Sequence, residues 1–90
     1  MARIRLGPKS IVSQDSCLCT GLHDIRDPNF QLIVKPIEIE EGAWIAAEAF
    51  IGPGVTIGNN SVIGARCVLF KDAEPKGVYV GNPARLVRYR

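Results

Sequence analysis

Ninety residues admit one domain, 1–90, with little room for an appended module. The chain is 47% hydrophobic and 22% charged, with nine Gly and six Pro, a globular balance that excludes wholesale disorder. Its formal charge of +2 is too small for a nucleic-acid footprint. No apolar run approaches the roughly 20 residues of a membrane-spanning helix, so no membrane insertion is expected.

From the N-terminus, Met1-Ala2-Arg3-Ile4-Arg5 is basic but no apolar segment follows it, so no secretory signal is expected. Leu6, Val12 and Leu18 then stand six apart, with Gly7 directly after Leu6; residues 1–20 read as the first coils of a repeat. Cys17, Cys19 and Cys67 cannot close a disulfide set, and Cys17-Leu18-Cys19 has the wrong spacing for a redox or zinc knuckle. Reduced thiols in a cytoplasmic protein are the expectation.

Leu18 to Ile39 is 21 residues, not a multiple of six, so the repeat is interrupted. Gly21-Leu22-His23-Asp24-Ile25-Arg26-Asp27-Pro28-Asn29-Phe30 fills the gap, and its polar residues, Gly and Pro predict an extruded loop over about 21–33. Loops on rigid scaffolds commonly carry catalytic groups. His23, the single histidine of the chain, lies here.

Residues 34–72 hold the repeat in its clearest form. Stepping by six from Ile39 gives Ile45, Ile51, Ile57, Ile63 and Leu69. Ile, Leu and Val make up 24 of the 90 residues, so six such hits arise by chance about twice in a thousand, which decides for a real period. The position after each anchor is Glu40, Ala46, Gly52, Gly58, Gly64 and Phe70; two before it stand Ile37, Ala43, Ala49, Val55, Ser61 and Cys67, mostly small. Six is not a multiple of the helical 3.6, and the glycines and Pro53 would break a helix. Short strands joined by sharp corners fit, with the glycines, Asn59 and Asn60 expected to take positive φ. Three sides make an 18-residue triangular coil; four to five coils would stack about 4.8 Å apart, with the anchors piled inside. Residues 73–90 read as a closing strand and an irregular basic tail, since Lys71, Lys76, Arg85, Arg88 and Arg90 all fall in the last twenty positions.

The units Ile51-Gly52-Pro53-Gly54-Val55-Thr56-Ile57-Gly58 and Val62-Ile63-Gly64-Ala65 resemble the [Ile/Leu/Val]-Gly-x-x-[small]-x repeat of the hexapeptide-repeat acyltransferases. Gly42-Ala43-Trp44-Ile45-Ala46-Ala47, Lys71-Asp72 and Gly81-Asn82-Pro83-Ala84-Arg85 resemble that family's C-terminal coils, closing segment and tail. Ile11-Val12-Ser13-Gln14, Leu18-Cys19-Thr20-Gly21, His23-Asp24 and Arg26-Asp27-Pro28 are similar to the branch of sugar O-acetyltransferases of colanic acid and other exopolysaccharide synthesis. The resemblance covers nearly the whole chain and implies an all-β, left-handed parallel β-helix; the left hand comes from the family, because right-handed crossovers are the general rule. It further implies acetyl-CoA as co-substrate, a hydroxyl of a sugar-type acceptor, a homotrimer with sites between subunits, and no metal requirement.

Residue by residue, the family motif implies His23 as general base, a role suited to an imidazole at neutral pH. Asp24, Asp27 and Glu41 are candidates to hold its tautomer. Ala46 and Ala47 match positions where small side chains let the pantetheine arm approach and where amides could meet the thioester carbonyl. Trp44 matches an aromatic wall of the same groove, Ala65 and Lys71 match donor-side positions, and Arg85 and Arg88 could meet the CoA phosphates. Phe70 departs from the pattern, which usually has a small polar residue there. Family members carry several more coils before the segment that begins here, so a truncated, non-catalytic repeat module that still binds CoA is the rival expectation. A γ-class carbonic anhydrase, built on the same coil, needs three zinc-binding histidines where this chain has one. An ice-binding helix needs flat Thr arrays, which the sequence lacks.

Overall fold

The structure, a computed structural model, describes residues 3–23, 28–29 and 32–90, with the side chains of Leu22, His23 and Ile33 outside that description. Thirteen short strands follow one another among the described residues. β1 (Ile4–Leu6), β2 (Ile11–Val12) and β3 (Cys17–Leu18) make the three sides of a first coil. β4 (Gly21–His23) and β5 (Leu32–Val34) leave and rejoin it. β6 (Ile37–Ile39), β7 (Trp44–Ile45) and β8 (Phe50–Ile51) form the second coil, and β9 (Thr56–Ile57), β10 (Val62–Ile63) and β11 (Val68–Leu69) the third. β12 (Gly77–Val80) and β13 (Arg85–Tyr89) close the chain.

Each side of the prism is a parallel sheet running through successive coils: β1-β6-β9, β2-β7-β10-β12 and β3-β8-β11. Ile39 pairs with Ile57, 18 residues on, as the triangular coil requires. Leu6, Val12 and Leu18 pair with Ile39, Ile45 and Ile51, so the repeat resumes in phase after the interruption. Those offsets are 33 residues instead of 18, and the excess of 15 is the excursion. Three coils and part of a fourth are formed, fewer than the four to five expected, because the excursion consumes most of a coil's length.

The register places every anchor from Ile39 to Leu69 at 0–2% exposure, and the residues two before them, Ile37 to Cys67, at 0–1%. Each buried Ile contributes roughly 1.5–3 kcal/mol of apolar transfer free energy. Ser61, the polar member of the inner column, donates to Gly58 O at 2.6 Å, so its hydroxyl is satisfied. Toward the N-terminal end the same ladder is open, with Leu6 at 55% and Val12 at 37% exposure.

Most corners are four-residue turns with a positive φ at the third residue, the signature of type II; the corner after β11 is an exception. The expectation that glycines and Asn59 fill those positions needs correction. Gly42, Gly54 and Asn60 do so, but Lys9, Asp15, Glu48, Arg66 and Lys76 also take φ of 59–62°, and Asn59 does not. Proline stands second in three of these turns, at Pro8, Pro53 and Pro75, where its fixed φ is already correct. The glycines after the anchors serve a different purpose: a Cβ on Gly58 would lie 2.6 Å from Pro75 N and 2.7 Å from Ala73 O of the next coil. Coil-to-coil approach excludes a side chain there. Gly58→Ala is therefore expected to cost about 1–3 kcal/mol in urea unfolding, whereas Asn60→Gly, at a corner that favours glycine, should change the midpoint little.

Two further expectations change. The excursion is not a bare loop: β4 and β5 pair antiparallel through Gly21↔Val34, Leu22↔Ile33 and His23↔Leu32. The tail is not irregular, since β13 pairs antiparallel with β12 and extends the second side. The adjacent Leu86 and Val87 break the apolar–polar alternation that would have predicted a strand here.

Candidate functional site

The corner between the second and third sides gathers most of the expected donor residues. It stacks the turns Ser13–Ser16, Ala46–Ala49 and Gly64–Cys67, held by Glu48 N–H to Gln14 O at 3.1 Å and Arg66 N–H to Ala47 O at 3.0 Å. Ala47 and Ala65 thus lie one above the other as second residues of successive turns. Ala46 and Ala47 are half-buried and Ala65 is exposed.

The two alanine amides differ, however. The Ala46 N–H donates to Ile63 O at 2.9 Å as part of the ladder, which corrects the expectation that this amide meets the thioester and leaves the expectation for its small side chain as it was. Among the described residues nothing accepts from the Ala47 N–H, as the outward second amide of a type II turn requires. Ser16 Oγ donates to Ala46 O at 2.9 Å and fixes the turn.

Trp44 begins this corner. Ile45 points into the core, so Trp44 points out, 46% exposed, and its indole Nε1 donates to Ser13 Oγ at 3.2 Å. Ser13 was not a candidate from sequence, because its nearness to Trp44 appears only with the 33-residue offset. The outer row of the second side runs Ile11, Trp44, Val62, Val78 and on to Arg88. Three strand steps separate Trp44 from Arg88, about 14 Å. Arg85 pairs with Val80 and Arg88 with Val78, the outward residues of β12, whereas Leu86 pairs with the buried Tyr79. Residues three apart on a regular strand face opposite ways; a bulge at Val78/Tyr79 leaves Val87 unpaired and brings both arginines to the outer face. Arg66 and Glu48 form an ion pair at 3.2 Å on the same corner, but at 80% and 51% exposure it adds little stability.

His23 and Lys71 lie elsewhere. The β4–β5 excursion leaves at the corner between the third side and the first, where Lys35 N–H donates to Thr20 O at 2.9 Å and closes its base. Lys71, exposed, follows β11 at that same corner two coils on. Beside it Phe70 covers Gly52 and meets Phe50 with ring centroids 5.6 Å apart. Phe70 and Lys71 border a cavity of about 390 Å³ whose other walls include Tyr79, Pro83, Ala84 and Leu86. Within one chain, then, one full side separates the Trp44–Ala47–Ala65 corner from the His23 corner. Glu41 sits at the third corner, where its carbonyl accepts from Asn60 N–H at 2.9 Å, away from the base of the excursion. Asp24 and Asp27 lie outside the described residues.

All three cysteines are free thiols; Cys67 is wholly buried, and burial raises its pKa. Among the described residues no group of three or more His, Cys, Asp or Glu could hold a metal, and no helix is long and apolar enough to cross a membrane.

The bacterial transferase hexapeptide (six repeats) family matches residues 36–71, the span of the second and third coils. The protein named as the colanic acid biosynthesis acetyltransferase WcaF of Escherichia coli strain K12 is 43% identical over all of this chain and 50% of its own length. A galactoside acetyltransferase solved with coenzyme A superposes with a TM-score of 0.89 at 32% identity, over 96% of this chain and 44% of the other. The hexapeptide-repeat acetyltransferase VCA0836 of Vibrio cholerae, solved with acetyl coenzyme A, gives 0.82 at 28% identity, over 96% and 60%. The chain spans about half the length of the curated relatives it matches. Period, corner geometry and these likenesses agree: residues 36–71 carry the bacterial transferase hexapeptide repeat, and the chain is built as the left-handed parallel β-helix of the hexapeptide-repeat acyltransferases it resembles.

Proposed function

We propose that this chain supplies the coils of an acetyl-CoA-dependent O-acetyltransferase that acylates a hydroxyl of a sugar-type acceptor, with each site shared between two subunits of a homotrimer. The observation that carries the reading is the separation of two half-sites by one side of the prism. One holds Trp44, the open Ala47 amide, Ala65 and two outward arginines; the other carries the His23 excursion and Lys71. Apposing the His23 corner of one subunit to the Trp44–Ala47–Ala65 corner of its neighbour completes a site that a lone chain leaves in halves.

In that site the pantetheine arm lies along the alanine corner against Trp44, and Arg85 and Arg88 face the donor phosphates. The neutral His23 imidazole takes the acceptor hydroxyl proton as the oxygen attacks the thioester carbonyl. The Ala47 N–H donates to the resulting oxyanion. The C–S bond then breaks, and the departing CoA sulfur receives the proton from the imidazolium. No enzyme-bound acyl group is needed on this path, because the acceptor oxygen attacks the thioester directly. Three free thiols also suit a reducing compartment, and we place the protein in the cytoplasm on that ground.

A panel of sugar acceptors assayed for release of free CoA tests the reading. Transfer to at least one sugar hydroxyl is expected; binding of acetyl-CoA with transfer to no acceptor would favour a non-catalytic repeat module. Arg85→Ala and Arg88→Ala are each expected to raise the acetyl-CoA KM about three- to tenfold with little loss of kcat. A KM unchanged in both would return the arginines to a solvated basic end.

A further inference from the structure

We infer that Tyr89 and Glu74 form a clasp that holds β13 in its bulged register, making them positioning residues that set Arg85 and Arg88 against the 3′-phosphate of the donor. This rests on the reading of Arg85 and Arg88 given above. β13 is an edge strand, exposed along its whole length, with Val87 unpaired at the bulge. Such a strand can slip by one residue, and a slip would turn Arg88 from the outer face to the inner. Pairing with β12 alone does not oppose this strongly, because only four residue pairs join the two strands and the bulge interrupts them.

Beyond the bulge, the far end of β13 is tied down. Tyr89 OH donates to Glu74 Oε2 at 3.0 Å, and Arg90 bonds Lys76 O through its N–H at 2.7 Å and Asn60 O through Nη1 at 3.1 Å. Glu74 is itself anchored to the core, since its N–H donates to the hydroxyl of buried Tyr79 at 2.8 Å. A continuous path therefore runs from the core through Tyr79 and Glu74 to Tyr89, the residue after Arg88. A tyrosine hydroxyl carries its proton at neutral pH in any case, and the hydrogen bond to Glu74 raises its pKa further.

Calorimetric titration with CoA and with 3′-dephospho-CoA tests the clasp. Wild type should prefer CoA. Tyr89→Phe and Glu74→Ala should each weaken CoA binding about three- to tenfold while leaving 3′-dephospho-CoA binding unchanged. Glu74→Gln, which keeps an acceptor oxygen, should retain the wild-type preference. Urea midpoints of all three should match wild type. If Tyr89→Phe and Glu74→Ala keep the full preference, or weaken both ligands equally, the clasp is wrong. If Arg85→Ala and Arg88→Ala also keep the full preference, the phosphate reading of the arginines fails, and the inference fails with it.

Discussion

Ile57→Asp is expected to abolish the folded state. Ile57 is wholly buried, pairs with Ile39 on one coil and is bridged to Ala73 on the next. An aspartate there has no cation or donor to meet it, and neutralising or burying it costs several kcal/mol against a total stability of roughly 5–15 kcal/mol. Thr56, one residue earlier, points outward beside Glu38, and its N–H donates to Asp72 Oδ1 at 2.8 Å. Thr56→Lys adds a cation between two carboxylates and should fold with a near-wild-type midpoint. Far-UV circular dichroism through a urea titration separates the two. Equal tolerance would mean that the six-residue register is wrong.

His23→Ala is expected to lower turnover by about 10²–10⁴-fold while leaving the acetyl-CoA Kd nearly unchanged. The physical reason is the proposed division of the site, in which proton removal from the acceptor would depend on the excursion and donor binding on the alanine corner and β13. Steady-state turnover with calorimetric binding of acetyl-CoA checks both halves of the statement. A variant that turns over as fast as wild type would remove His23 from the chemistry, and one that loses donor binding would show that the two half-sites are not independent.

Much of this architecture is legible in the sequence because the coil repeats a single rule. An Ile or Leu every six residues, with a small residue two before it, names nearly every buried position from Ile37 to Leu69. What escaped reading was what neighbouring coils impose. Gly58 looks like a corner residue, but its lack of a side chain answers to the backbone of Pro75 and Ala73. Lys9, Glu48 and Arg66 take left-handed corners that their own propensities disfavour, because ladder bonds on both sides fix the turn. Ala46 and Ala47 are adjacent and alike in sequence, yet only the first gives its amide to the ladder. Arg85 and Arg88 share a face through one unpaired residue, Val87, which spacing alone does not reveal. The β4–β5 pairing was hidden for a related reason: antiparallel partners Gly21 and Val34 obey no six-residue period.

Subunit complementation tests the proposed shared site most directly. His23→Ala removes the proposed base, and Ala47→Trp fills the alanine corner of the proposed donor half-site; each variant alone should bring transfer close to background. Coexpressed in equal amounts and assembled together, they should recover about a quarter of wild-type activity, since half of the excursions and half of the donor corners are intact and meet at random across interfaces. That recovery is the predicted result. Mixed assemblies as inactive as either parent would contradict it, because they would mean that His23 and the Ala47 corner act within a single chain.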